Sequence, residues 1–183
     1  MTKLLNFFIL TLSLLFSESA FSKDQMPKYA QDVWNKLKSP ASADVFKYAK
    51  TQREECYEGE KVKDCLLANI VDRVEIFGDQ TIGIGGPKYI LATMEYEPDT
   101  GNALHRRDFI FKLISKNHYA FSKEVHGLVG TVVYAAYEDD KQKFVVLTNT
   151  LKKDDSRCCA HRHTIWDVLK DTGEAKFMSG DQD

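Results

Sequence analysis

The chain has 183 residues, 43% of them hydrophobic and 28% charged, with 25 Lys and Arg against 27 Asp and Glu and a formal net charge of -2. That size and balance suit one ordinary globular domain and exclude collagenous, low-complexity and disordered chains. No basic block runs along any segment, which removes the electrostatic footprint that nucleic-acid binding or docking on an anionic membrane needs.

The N-terminus reads as a secretory leader. Lys3 supplies a short positive region, Leu4 to Phe16 is almost wholly apolar, and Ala20-Phe21-Ser22 sets small residues where a signal peptidase reads. Cleavage after Ser22 is expected, giving a 1–22 signal peptide and a mature chain from Lys23 to Asp183. The apolar run is shorter than the roughly 20 residues a membrane anchor needs, and Ser17, Glu18 and Ser19 interrupt it. No later segment is long and apolar enough to span a bilayer, so no membrane insertion is expected after cleavage. The single-Lys leader and the small size point to a periplasmic or secreted bacterial protein.

In the mature chain, Met26, Tyr29, Ala30, Val33, Trp34 and Leu37 recur at helical spacing opposite Lys28, Asp32, Asn35 and Lys36. Ser39 followed by Pro40 reads as an N-cap and first helical position, opening a second helix through Val45, Phe46, Ala49 and Lys50. Leu66, Leu67, Ile70, Val71 and Val74 continue a helical spacing after Asp64, with the β-branched residues leaving a strand open from Ile70 onward. From Glu75 short runs rich in β-branched and aromatic residues alternate with turn residues. The expected strands are Tyr89 to Tyr96, Arg107 to Ile114, Tyr119 to Val125, Thr131 to Tyr137, Phe144 to Leu151, His163 to Leu169 and Ala175 to Met178. Connections this short join antiparallel neighbours, because a parallel crossover needs a dozen residues or more. The expected fold is therefore a single α+β domain over 23–183: N-terminal helices over about 26–74, then one antiparallel β-meander sheet over about 75–178.

Export makes Cys56, Cys65, Cys158 and Cys159 candidates for two disulfides. Adjacent Cα atoms lie about 3.8 Å apart, below the separation of about 4.4 Å that an unstrained bridge prefers, so geometry favours separate partners for Cys158 and Cys159. The competing arrangement closes Cys56 on Cys65 across the polar stretch Tyr57 to Asp64 and leaves Cys158-Cys159 as a vicinal bridge or a thiol pair. A strained bridge is easier to reduce, which is the redox-active reading; structural staples are the preferred one.

Motifs for chemistry are sparse. Gly83-Ile84-Gly85-Gly86 is followed by Pro87 rather than by a helix start with Lys and Ser or Thr, so neither a P-loop nor a dinucleotide fingerprint is met. No Gly-x-Ser-x-Gly elbow or Ser-x-x-Lys pair occurs. Glu54, Glu55, Glu58, Glu60 and Asp64 alternate with Lys61 and Lys63 and read as a solvated loop. His161 and His163, at i and i+2, would share one strand face next to Cys158 and Cys159, a group able to hold zinc or copper. An oxidised cysteine pair supplies no thiolate, so the favoured reading has no metal and no cofactor, with Cys158, Cys159, His161 and His163 as the alternative ligand set. His105, His118 and His126 are expected as exposed polar residues near turns.

Gly127 to Val133, a strand pair ending in Phe144-Val145-Val146-Leu147, then Lys153-Asp154-Asp155-Ser156-Arg157-Cys158-Cys159-Ala160 and a final strand with Thr164-Ile165-Trp166 resemble the C-terminal part of small exported bacterial proteins of the LppP/LprE lipoprotein type. The likeness covers about the last third of the chain. Ala160-His161 stands where that type has Pro-Ser or Pro-Thr, and Val129-Gly130-Thr131 replaces its Gly-Asp turn. The resemblance implies an envelope protein with no assigned activity. Two classes of function follow from the sequence: a non-catalytic binding or interaction protein with a protein partner in the cell envelope, such as an immunity or inhibitor protein, and, as alternative, a redox or metal-handling protein acting through the Cys158-Cys159/His161/His163 cluster.

Overall fold

The computed structural model describes residues 26–58, 61–78, 87–96, 105–151, 160 and 162–181. The expected leader, the glycine-rich stretch at 83–86, and Cys158, Cys159 and His161 lie outside the described residues. The elements run α1 (Lys28–Lys36), α2 (Ser42–Ala49), β1 (Arg53–Glu58), β2 (Lys61–Leu66), α3 (Leu67–Ile70), β3 (Val71–Phe77), β4 (Tyr89–Tyr96), β5 (His105–Ser115), β6 (His118–Glu124), β7 (Thr131–Glu138), β8 (Lys143–Thr150), β9 (Arg162–Leu169) and β10 (Ala175–Gly180). Among the described residues, no helix is long and apolar enough to cross a membrane.

The chain is mostly β, and its strands form three antiparallel sheets rather than the single meander expected after a helical half. One is a hairpin of β1 and β2; the others are four-stranded, in orders β3-β4-β5-β6 and β10-β9-β8-β7. The division follows from β4, whose eight residues are buried on both faces. Ile90, Ala92, Met94 and Tyr96 pack with the helices, while Tyr89 and Leu91 pack with Val132, Ala135, Phe144, Val146 and Val168 of the second sheet. A strand buried on both sides needs cover on both sides. The helices supply one layer and β7–β10 the other, so the β3–β6 sheet is the middle of three layers.

The segment expected to be helical to residue 74 departs furthest. Only Leu67–Ile70 takes a helical turn, and the chain is extended again from Val71, where β-branched residues resume. Arg53–Glu58 and Lys61–Leu66 pair as a hairpin, with Cys56 opposite Lys63 and Glu54 opposite Cys65. This diagonal placement brings Cys56 and Cys65 to a Cα separation of 5.8 Å, and they form a disulfide. The bridge joins the two cysteines to each other, not to the Cys158-Cys159 pair. The second helix begins at Ser42 rather than Pro40; Ser39 Oγ instead accepts a hydrogen bond from the Ala41 amide at 3.1 Å.

The helical layer is anchored by polar atoms as well as by burial. Trp34 Nε1 donates to the Ala68 carbonyl at 2.9 Å, its ring packs on Phe46 with centroids 4.9 Å apart, and Asp44 Oδ2 accepts from the Tyr119 amide at 2.8 Å. The two large sheets are stitched at one corner by main chain: the His126 amide donates to Gly173 O at 2.8 Å and the Ala175 amide to His126 O at 2.9 Å. Gly173 has φ +76°, and a Cβ there would overlap the Glu124 carbonyl oxygen.

Gly173→Ala should therefore cost clearly more stability than Gly127→Ala. Gly127 shares a positive φ, +79°, but its Cβ would sit 3.6 Å from the nearest atom, leaving only the left-handed strain of about 1–2 kcal/mol. Urea denaturation of both variants checks this, and equal losses would mean that the corner is loose. The Cys56–Cys65 bridge spans a sequence separation of 9, so the Cys56→Ser, Cys65→Ser double variant should lose about 2–3 kcal/mol, a short-loop value. An unchanged denaturation midpoint would contradict that.

Candidate functional site

Where the two large sheets diverge, a cleft of about 850 Å³ opens. β4 and β5 supply one wall. On the face of β5 that carries Ile110 towards the second sheet, Asp108 and Arg106 are its neighbours at i−2 and i−4, and they pair across to Thr93 and Glu95 of β4. That face is apolar at Tyr89, Leu91 and Ile110 and turns polar at Thr93, Glu95, Arg106 and Asp108. The opposite wall is the connection leading into β7, from His126 to Gly130, together with Asn149, Thr150 and Leu151 at the end of β8.

Asp108 is only 4% exposed. Its Oδ2 accepts from Arg106 Nε at 2.7 Å, and Arg106 Nη2 donates to the Leu128 carbonyl at 2.9 Å, so one guanidinium ties β5 to the far wall. The other carboxyl oxygen, Oδ1, is buried and has no hydrogen-bond partner. Asn149 Oδ1, which belongs to the same cleft, is also buried and unpartnered. Leaving such an acceptor unmade costs about 1–3 kcal/mol. Burial pushes the Asp108 carboxyl up to about 6, with Arg106 opposing the rise and Glu95 and Glu124 adding to it. Glu95 is 8% exposed, and among the described residues its nearest cation is Arg73 Nη1 at 3.9 Å.

The neighbouring Arg107 points to the other face of β5 and has a structural role. Its Nε and Nη2 donate to the two oxygens of Glu124 at 2.8 and 2.7 Å, and Nη1 donates to Glu54 Oε1 at 2.6 Å. This fork clamps the β1–β2 hairpin to the middle sheet. The same cluster raises the Tyr96 phenol, chiefly by burial and then by a hydrogen bond to Glu54. Glu54, read from the sequence as part of a solvated loop, is thus a partner in a semi-buried ion pair.

Of the residues picked out from the sequence, Cys56 and Cys65 are joined in the hairpin bridge, and Cys158, Cys159 and His161 lie outside the described residues. His163 is on β9 with its side chain 62% exposed, its Nδ1 3.8 Å from Asp181 Oδ2. Among the described residues, no group of three His, Cys, Asp or Glu side chains is arranged to hold a metal. His118 sits near Asp44, with Nδ1 3.5 Å from Oδ2; His105 packs on Tyr96; His126 borders the cleft. Sequence reasoning missed Asp108, Arg106 and Glu95. A signal existed: in Arg106-Arg107-Asp108-Phe109-Ile110-Phe111 strict alternation forces charged residues onto the same faces as buried ones.

No family model, curated protein or solved structure matches the chain. The resemblance to the LppP/LprE type therefore stands on the residues quoted for it alone, of which 153–159 lie outside the described residues.

The Asp108 carboxyl gives a pH signature. Its ordinary value is 3.8 and its native value about 6, so over that interval the folded state binds the proton more tightly. The stability associated with this group is fully present below pH 3.8, is lost as the pH rises to about 6, and is level above that. The wild-type minus Asp108→Asn difference in unfolding free energy should fall across that window by about 2 kcal/mol. A difference that is flat or rising there would contradict the burial of an ionisable carboxyl at this site.

Proposed function

We propose that the chain is a non-catalytic binding protein of the bacterial cell envelope, periplasmic or secreted, in the class that includes immunity and inhibitor proteins, and that it binds through the cleft between the two large sheets. One observation carries the reading: a nearly fully buried carboxylate, Asp108, keeps one oxygen unpartnered in a cleft wide enough for a small ligand or a side chain. Folding leaves buried acceptors unsatisfied rarely, and a partner that completes the bond recovers the cost. The leader-like N-terminus supports export, and the Cys56–Cys65 bridge suits an oxidising compartment.

The redox or metal-handling alternative has one observation in its favour: Ala160, the residue after Cys158-Cys159, lines this same cleft. Elemental analysis of the natively purified protein separates the two. Stoichiometric zinc or copper that disappears in the His161→Ala, His163→Ala double variant would put metal handling first.

The binding reading is tested by ¹H–¹⁵N NMR of the exported chain against a mixed library of organic acids, amines, amides and sugars. At least one saturable ligand is expected, with shifts concentrated at His126 to Thr131 and Asn149 to Leu151. Absence of any cleft-centred binder would overturn the reading, and protein-dependent chemical conversion of a ligand would overturn its non-catalytic part.

A further inference from the structure

We propose that the group received by the cleft is a protonated nitrogen, an ammonium or guanidinium on an apolar stem, docked between Asp108 Oδ1, Asn149 Oδ1 and the Glu95 carboxylate. The proposal rests on the binding reading above and adds the chemistry of the ligand. Both unpartnered atoms are acceptors: an ionised carboxylate and an amide oxygen can only take hydrogen bonds, so the missing partner must be a donor.

The charge balance selects a cation among donors. Among the described residues, two carboxylates stand on the cleft face of the middle sheet, those of Glu95 and Asp108, against one guanidinium, Arg106; Arg107 and Glu124 border the cleft but pair with each other on the opposite face. Both guanidiniums are already engaged, Arg106 with Asp108 and the Leu128 carbonyl, Arg107 with Glu54 and Glu124. An anion would meet buried negative charge with its compensating cations taken, whereas a cation meets an unpartnered carboxylate oxygen and the poorly compensated Glu95, 3.9 Å from Arg73. Val129 and Leu151 on the far wall are 57% and 49% exposed, and they offer an apolar surface along which an alkyl stem can lie.

Four probes sharing a butyl stem test this: butylammonium, butylguanidinium, 1-butanol and pentanoate, each titrated into the full chain and followed by NMR. The two cations should bind at least tenfold more tightly than the alcohol or the carboxylate, and butylammonium should move the Asp108 carboxyl carbon resonance. Asp108→Asn should weaken butylammonium binding tenfold or more, and Glu95→Gln and Asn149→Ala should weaken it in protein that remains folded. The Asp108 resonance in the wild type serves as a readout should Asp108→Asn fail to fold. Blocked lysine and arginine amides form a second arm. Binding tenfold tighter than the butyl cations points to a side chain of a protein partner, and equal or weaker binding points to a free amine; either supports the cation assignment. Pentanoate or a neutral ligand seated in the cleft while the cations are not would overturn the assignment and leave the binding reading standing. Full affinity for butylammonium in all three variants would overturn it as well, and no cleft binding by any probe or library member would remove both.

Discussion

The double burial of β4 is the constraint on which the rest of the structure depends. Its eight residues carry no exposed face, so the middle sheet must be covered twice, by the helices that precede it and the second sheet that follows it. The helices satisfy Ile90, Ala92, Met94 and Tyr96, and the second sheet satisfies Tyr89 and Leu91. Large-to-small changes in such a strand leave cavities that neighbours fill only in part, at about 2–5 kcal/mol for Leu, Ile or Met to Ala. The hairpin of β1 and β2 is peripheral to this core, and its hold is correspondingly different: a disulfide within it and an arginine fork beneath it.

The cleft is a by-product of the same layering. Two sheets in contact at Leu91 and Ile110 part where Thr93, Glu95, Arg106 and Asp108 replace apolar residues, because charged side chains cannot pack dry against a facing sheet without partners. Arg106 spans the gap to the Leu128 carbonyl. It neutralises one side of Asp108 and leaves the other buried without a partner, which is an arrangement of high local electrostatic stake. The shared pairing keeps the carboxyl tolerable in the fold while burial pushes it up to about 6.

The strands from β4 onward were legible because turn residues punctuate runs of β-branched and aromatic residues, and the observed strands fall within a residue or two of the expected ones. What the alternation could not convey is which sheet a strand joins, since a period of two reports a buried face and not the identity of what buries it. The largely apolar character of Tyr89 to Tyr96 on both faces, broken only by Thr93 and Glu95, was the sign that cover was needed on both sides. The β1–β2 hairpin was illegible for the opposite reason: Arg53–Glu58 and Lys61–Leu66 carry charges where strands usually carry apolar residues, and no periodicity distinguishes them from a solvated loop. The cleft stayed hidden because Arg106 and Asp108 acquire meaning only when two sheets are known to face each other there, while attention to cysteine and histidine led elsewhere, to Cys56 and Cys65 in the hairpin and His163 on β9.

The corner joining the two large sheets is held by main-chain hydrogen bonds, from the His126 amide to Gly173 and from the Ala175 amide to His126, and Arg106 reaches a carbonyl, not a side chain, at Leu128. A wall fixed through its backbone is indifferent to the side chains it displays. Substitution at the exposed Val129 can therefore alter which molecule the cleft prefers without shifting where the wall stands. Related chains could diverge in recognition along this short connection while inheriting one rigid scaffold, so variability concentrated there would mark changing partners and not a decaying fold.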